Sequence, residues 1–330
     1  MKIHYLLPLL ILCHCTPREQ ATSRFGSFEE SQPAFRHVIT ADATIEKIGE
    51  GYEWSEGPVW IEAQKKLLFS DVPKNTVYQW QEGQPVTVYL TPSGYTGEGS
   101  YSNEPGSNGL LLDGDGNLIL CQHGNRQLAR MNAPVDAPVA NFTTVAATYT
   151  GKRFNSPNDA AFFAGDFFFT DPPYGLPQQE NDSTRELAFQ GVYRTTAAGE
   201  VQLLVDSLTR PNGIAFFPDG KSFLVANSDP AKATWYRYEW DGTRVTGGTV
   251  FYDATALAAT ERGLPDGLKI DREGRIFATG PGGIWVFDAK GTVLGKIKLP
   301  EAASNCALSA DEKTLFVTND MRLLKIRLRP

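Results

Sequence analysis

R-P-N-G-I-A-F-F-P-D-G-K-S-F-L-V-A-N-S, running from Arg210 to Ser228, is the clearest copy of a phrase that the chain uses six times. A polar residue, Asn212, opens a short apolar run; Asp219 and Gly220 turn the chain; a second apolar run, Phe223 to Ala226, returns. This pattern predicts a β-hairpin whose turn uses a dipeptide tolerant of positive φ. The other copies open at Glu56 (S-E-G-P-V-W), Asn108 (S-N-G-L-L-L), Asn158 (P-N-D-A-A-F), Asp266 (P-D-G-L-K-I) and Asn305 (S-N-C-A-L-S). Their starts lie 52, 50, 54, 54 and 39 residues apart. A repeat of about 40–50 residues with several strands in each is the mark of a propeller blade. The chain is therefore read as all-β, a six-bladed β-propeller.

If each polar opener heads the strand nearest the axis, Glu56, Asn108, Asn158, Asn212, Asp266 and Asn305 form a ring at one tunnel mouth. Such a ring offers oxygen donors only, two of them acidic, with no thiolate or imidazole. That chemistry suits a hard cation such as Ca²⁺, so a central metal site is expected. The competing reading of any single copy is a turn residue that caps a strand and does nothing more. It does not account for a glutamate inside Ser-Glu-Gly-Pro at the same position.

The 330 residues are 41% hydrophobic and 21% charged, which fits one large globular all-β domain. A net charge of −7 with no basic stripe argues against nucleic acid as a partner. The amino terminus reads differently. Met1 to His4 precede an apolar run, Tyr5 to Cys13, too short to span a membrane, as in a secretory signal. Leu12-Cys13-His14-Cys15 resembles an imperfect lipobox, in which either cysteine would be acylated. Residues 1–15 are thus expected to be a signal, 16–35 a flexible tether, and 36–330 the propeller. The place this implies is outside the cytoplasm, periplasmic or lipid-anchored to a bacterial envelope membrane. A membrane enters only through that anchor, and no obligate protein partner is indicated.

Ala43 to Ile48 is expected to pair with the carboxy-terminal run Leu323 to Leu328, closing the ring. Thr91 to Ser107 reads as a Gly/Ser-rich loop at the tunnel mouth, and the polar insertion that follows Thr170 to Leu176 and runs to about Gln190 is long enough for a lid. Asp113 to Asn117 imitates the start of an EF-hand, but Leu118 stands where that loop needs glycine, so it is a turn. Cys121 and Cys306 read as buried thiols on core strands. His123 follows a core strand among polar residues, where structural and functional roles are equally open. Arg153 and Asn155 lead into the third ring position and are candidates to sit beside it.

Taken together, S-E-G-P-V-W, C-Q-H-G-N-R, R-F-N-S-P-N-D, F-T-D-P-P-Y-G-L, R-P-N-G-I-A-F-F-P-D-G and L-P-D-G-L-K-I-D resemble the gluconolactonase/regucalcin (senescence marker protein) family. The resemblance runs from about Glu46 to Leu328. It implies a six-bladed propeller with one divalent cation at the axis, held by Glu56, Asn158, Asn212 and Asp266. Ca²⁺ is the first expectation, with Mg²⁺, Mn²⁺ or Zn²⁺ as alternatives. It further implies hydrolysis of a small-molecule sugar lactone, with Asn108, His123, Arg153 and Asn155 contacting substrate. Asp266 is expected to take the proton from the attacking water, or to attack directly as in the fluorophosphatase-like relatives. Asn305 has no counterpart among the ligands and is read as structural. The other readings are a non-catalytic metal-containing propeller that binds a ligand or protein, and an aryl-esterase or phosphotriesterase on the same site.

Overall fold

The computed structural model describes residues 25–196 and 198–329. Six antiparallel sheets are arranged as the repeats predict. The first blade runs Ser55–Ile61, Lys66–Asp71, Thr76–Gln81 and Thr87–Leu90. The second, third and fourth start with Ser107–Leu112, Ala160–Phe163 and Pro211–Phe216, and add three further strands each in chain order. Leu268–Ile270 and Asn305–Leu308 open the fifth and sixth. These six opening strands touch one another in ring order, and the sixth closes on the first.

The ring is fastened by non-consecutive chain. Thr44–Glu50 is the outermost strand of the sixth blade and pairs with Arg322–Arg327, from Thr44 opposite Arg327 to Glu50 opposite Arg322. Each blade presents apolar side chains to both neighbours, so the core lies between blades. Trp235, Trp285 and Phe287 pack where the fourth blade meets the fifth. Cys121 lies between the second and third blades and Cys306 between the fifth and sixth, both as free buried thiols. Among the described residues no helix is long and apolar enough to cross a membrane.

The expected signal, with Cys13 and Cys15, lies outside the described residues. The expected tether of residues 16–35 does not extend to its stated end. Ser27–Glu30 forms a fifth strand on the fifth blade, with Ser27 opposite Lys298 and Glu30 opposite Gly295. The N–H groups of Ser31 and Gln32 both donate to Leu294 O, and Phe35 is buried among Ile284, Leu294 and their neighbours. The physical reason is an otherwise bare sheet edge, which this segment covers while Phe28 and Phe35 supply its apolar anchors.

Two features of the repeated phrase aim its polar openers at the axis. The second strand of a blade ends in a polar residue that holds the chain entering the first strand. Asp71 accepts from the N–H groups of Glu53 (3.1 Å) and Trp54 (3.2 Å). Asp171 accepts from Asn155 and Ser156 (2.8 Å each), and Asn227 Oδ1 accepts from Arg210 N–H (2.9 Å). The glycine after the opener leaves room for the next blade. A Cβ on Gly57 (φ +49°) would stand 2.0 Å from Asn108 O, and one on Gly213 would stand 2.3 Å from Asp266 O. The Asn-Gly and Glu-Gly pairs are therefore packing devices of the ring as much as turn signals.

Candidate functional site

The openers of five blades, Glu56, Asn108, Asn158, Asn212 and Asp266, line one cavity of about 310 Å³ on the axis. Glu56, Asn108, Asn158 and Asn212 are buried, and Asp266 is partly open to the cavity. The Oδ1 atoms of Asn108, Asn158 and Asp266 are buried without a partner in the protein. Glu56 has one oxygen engaged by the N–H of Gly57 at 2.9 Å. Three unpartnered buried acceptors are costly, because each has lost water and gained nothing.

Charge makes the same point. Burial raises the Glu56 carboxyl well above its ordinary range, and the nearby carboxylates of Asp159 and Glu104 add to the rise. Burial, then Glu56, Asp159 and Glu104, push Asp266 up in the same way. Several carboxylates that resist ionisation around one set of unpartnered oxygens lack a positive charge. Among the described residues no three His, Cys, Asp or Glu side chains cluster as a metal site. The set here is instead two carboxylates and carboxamides, all hard oxygen donors, and it fits a hard divalent cation. Glu56, Asn158, Asn212 and Asp266 are the residues that would hold it, with Asn108 Oδ1 as a further oxygen.

The remaining expected residues divide. His123 is fully buried and does not line the cavity; its Nδ1 lies 3.7 Å from Glu104 Oε2, which does. Burial lowers its pKa to about 4, against the pull of Glu104, so the ring is neutral at ordinary pH. The structure does not bring Arg153 or Asn155 to the cavity. Arg153 is exposed and donates to Asn125 O at 3.2 Å. Asn155 is buried; its Nδ2 donates to Asp171 O and Phe189 O (3.0 Å each), and its Oδ1 accepts from Arg185 Nε. Asn155 thus belongs to the wall that supports the third ring position. Asn305 also stays off the cavity. It donates to Asp159 and accepts from Lys269 and from Cys306 N–H.

Among the cavity residues not singled out from the sequence are Glu104, Tyr174 and Arg210. Glu104 descends from the Gly/Ser-rich loop, and burial raises its carboxyl to about 7. Tyr174 comes from P-P-Y-G-L, just before the lid-length insertion. Burial, then the Asp266 charge, raises its hydroxyl far above the ordinary range, so it remains a proton donor to hydrogen bonds. Arg210 precedes Asn212 by two residues, and its guanidinium lies over the Tyr174 ring, 5.9 Å from the centroid. The available signal was position: each sits in or next to a quoted motif, just before an opener or just after a hairpin.

An acid-lined cavity on the axis of a six-bladed propeller, with hard oxygen donors at its floor and a tyrosine at its side, defines a class of small-molecule site rather than a protein-docking face. Comparison with known proteins gives the family. The chain belongs to the family described as the SMP-30/gluconolactonase/LRE-like region, whose model matches residues 54–320. It is 35% identical over 319 residues to a gluconolactonase from Zymomonas mobilis subsp. mobilis, covering 93% of this chain and 87% of that one. It is 27% identical over 277 residues to a pentonolactonase from Haloferax volcanii, covering 80% of each. Among solved structures, a gluconolactonase from Xanthomonas campestris superposes with a TM-score of 0.79 at 31% identity, over 92% of this chain and 95% of that one.

Proposed function

We propose that the protein hydrolyses the ester of a sugar lactone in the axial cavity, with a divalent cation, Ca²⁺ first among them, as cofactor. The observation that carries this reading is the set of unpartnered oxygens on Asn108, Asn158 and Asp266 in a cavity shared with Glu56, Glu104 and Tyr174. A cation held there supplies Lewis acidity toward the ester carbonyl oxygen. Asp266 takes the proton of the attacking water, and as the ring C–O bond breaks the departing alkoxide takes a proton from Glu104, which the proton on Asp266 then restores. Glu104, raised to about 7, holds that proton at neutral pH. Tyr174 donates to a substrate oxygen, and Arg210 at the cavity wall offers further N–H donors to hydroxyls. The product is the open aldonic acid.

A panel of aldonolactones and aryl esters, assayed on metal-stripped protein with Ca²⁺, Mg²⁺, Mn²⁺ or Zn²⁺ returned, tests the reading. Cation-dependent opening of an aldonolactone is expected; faster turnover of aryl esters would move the protein to the other chemistry. Tyr174→Phe removes one donor to a developing charge and should lower kcat/KM about 10-fold, with stability little changed. An unchanged kcat/KM would place the hydroxyl outside the reaction.

Stability should carry the mark of the missing charge. The carboxyls of Glu56, Glu104 and Asp266 are all raised by folding, so the folded protein keeps protons that the unfolded chain releases. In metal-stripped protein this stability is present below the unfolded values, near pH 4, and is lost as pH rises toward the folded ones. A cation competes with protons for the same oxygens. At one fixed concentration Ca²⁺ should therefore raise Tm more at pH 8 than at pH 5, and at 100 times its Kd at pH 8 it adds about 2.7 kcal/mol of stability. Equal shifts at the two pH values would count against the site.

Export and acylation at Cys13 or Cys15 form part of this proposal. Intact mass of membrane-fractionated protein should show a lipid-modified chain starting at one of them, and an unmodified soluble chain would remove the anchor.

A further inference from the structure

We propose that a groove between the third and fourth blades binds a glycosyl substituent, so that the preferred lactone carries a second sugar; this rests on the lactonase reading above. The groove measures about 620 Å³, against about 310 Å³ for the axial cavity. Arg210 lines both and is the wall between them. Glu180 holds that wall through its Oε1, at 2.9 Å from Arg210 Nε and 2.8 Å from Nη2. A ligand in the cavity that projects past Arg210 therefore enters the groove directly.

The groove is built for hydroxyl groups. Gln190 lines it, is 8% exposed, and has its Oε1 buried with no partner in the protein. A ligand hydroxyl that reaches that oxygen would give it the partner it lacks. Phe189 adds a half-buried aromatic side chain beside it. Asp206 and Asp229 add acceptors. The charges disfavour a phosphate or carboxylate ligand. Three acids, Glu180, Asp206 and Asp229, face two arginines, and both arginines are engaged. Arg210 is held by Glu180, while Arg185 donates to Asn155 Oδ1 at 3.2 Å and to Glu180 O at 3.4 Å. A neutral polyol supplies donors to the acids and Gln190 without adding charge.

The test compares kcat/KM for gluconolactone and for the same lactone bearing a glucosyl group on O4, in the natural chain, in Gln190→Leu and in Ala188→Trp. Ala188 is an exposed groove residue, so the tryptophan fills the groove from its rim. The extended lactone should be used at least as well as the simple one by the natural chain. Its ratio to the simple lactone should fall about 10-fold in each variant. A natural chain that uses the extended lactone about 10-fold less well, or ratios unmoved in both variants, overturns the proposal. If neither lactone is opened, the activity reading has failed and the groove is decided by calorimetry with the two open acids. Tighter binding of the glucosylated acid, lost in Ala188→Trp, supports the groove, and equal affinities overturn it.

Discussion

Asp266→Asn is expected to lower kcat on an aldonolactone by about 10²-fold or more, and saturating Ca²⁺ should not restore it. The substitution keeps an oxygen donor of the same shape, so metal binding weakens without vanishing. What it removes is the basic atom, and no concentration of ion replaces that. Glu56→Gln is the matched comparison. It removes one charge from the same ring, but Glu56 has an oxygen tied to Gly57 N–H and is assigned only to hold the ion. Its kcat should recover substantially at saturating Ca²⁺. The measurement is kcat of both variants across a metal titration. Equal recovery would reduce Asp266 to a ligand and move the proton to Glu104, the cavity acid not assigned to the ion.

Gly213→Ala should cost about 1–3 kcal/mol, several degrees in Tm, although it adds one methyl group. The new Cβ would stand 2.3 Å from Asp266 O and 2.9 Å from Gly267 Cα. Both are backbone atoms of the neighbouring blade, so no side chain can swing aside. Relief requires the fourth and fifth blades to separate at the ring, which also displaces Asp266. Activity should fall with stability. Gly247→Ala, on an outer strand with nothing within 4 Å of its added Cβ, is the control and should stay within about 0.5 kcal/mol. A silent Gly213→Ala would mean that the ring is looser than its contacts imply.

The blades were legible because they repeat two local signals: a polar opener, followed by glycine in four of the six (Gly57, Gly109, Gly213 and Gly267), and a turn before the second strand. Those signals follow from packing around one axis, so they recur wherever a strand meets that axis. Glu56, Asn108, Asn158, Asn212 and Asp266 were legible for the same reason. Arg153 and Asn155 were close in sequence to a ring position and yet face elsewhere, because Asp171 captures the Asn155 N–H and turns the segment into the wall. Glu104, Tyr174 and Arg210 reach the cavity by loop paths that contacts distant in sequence decide. Arg210, for example, is positioned by Glu180, thirty residues earlier. His123 was legible as unusual, but its place behind Glu104 depends on a loop from the preceding blade. Ser27–Glu30 gave no strand signal, since S-F-E-E has no apolar alternation and is shaped by the edge it covers.

The single pairing of Thr44–Glu50 with Arg322–Arg327 has a consequence for the lifetime of the protein. A ribosome releases the two halves of that clasp with almost the entire propeller between them, so the toroid stays open until its last strand has been made. Until then the incomplete sixth blade is exposed to proteases and to other nascent chains. Afterwards, where cleavage outpaces reclosing, the rate at which this clasp parts caps how fast the molecule can be degraded.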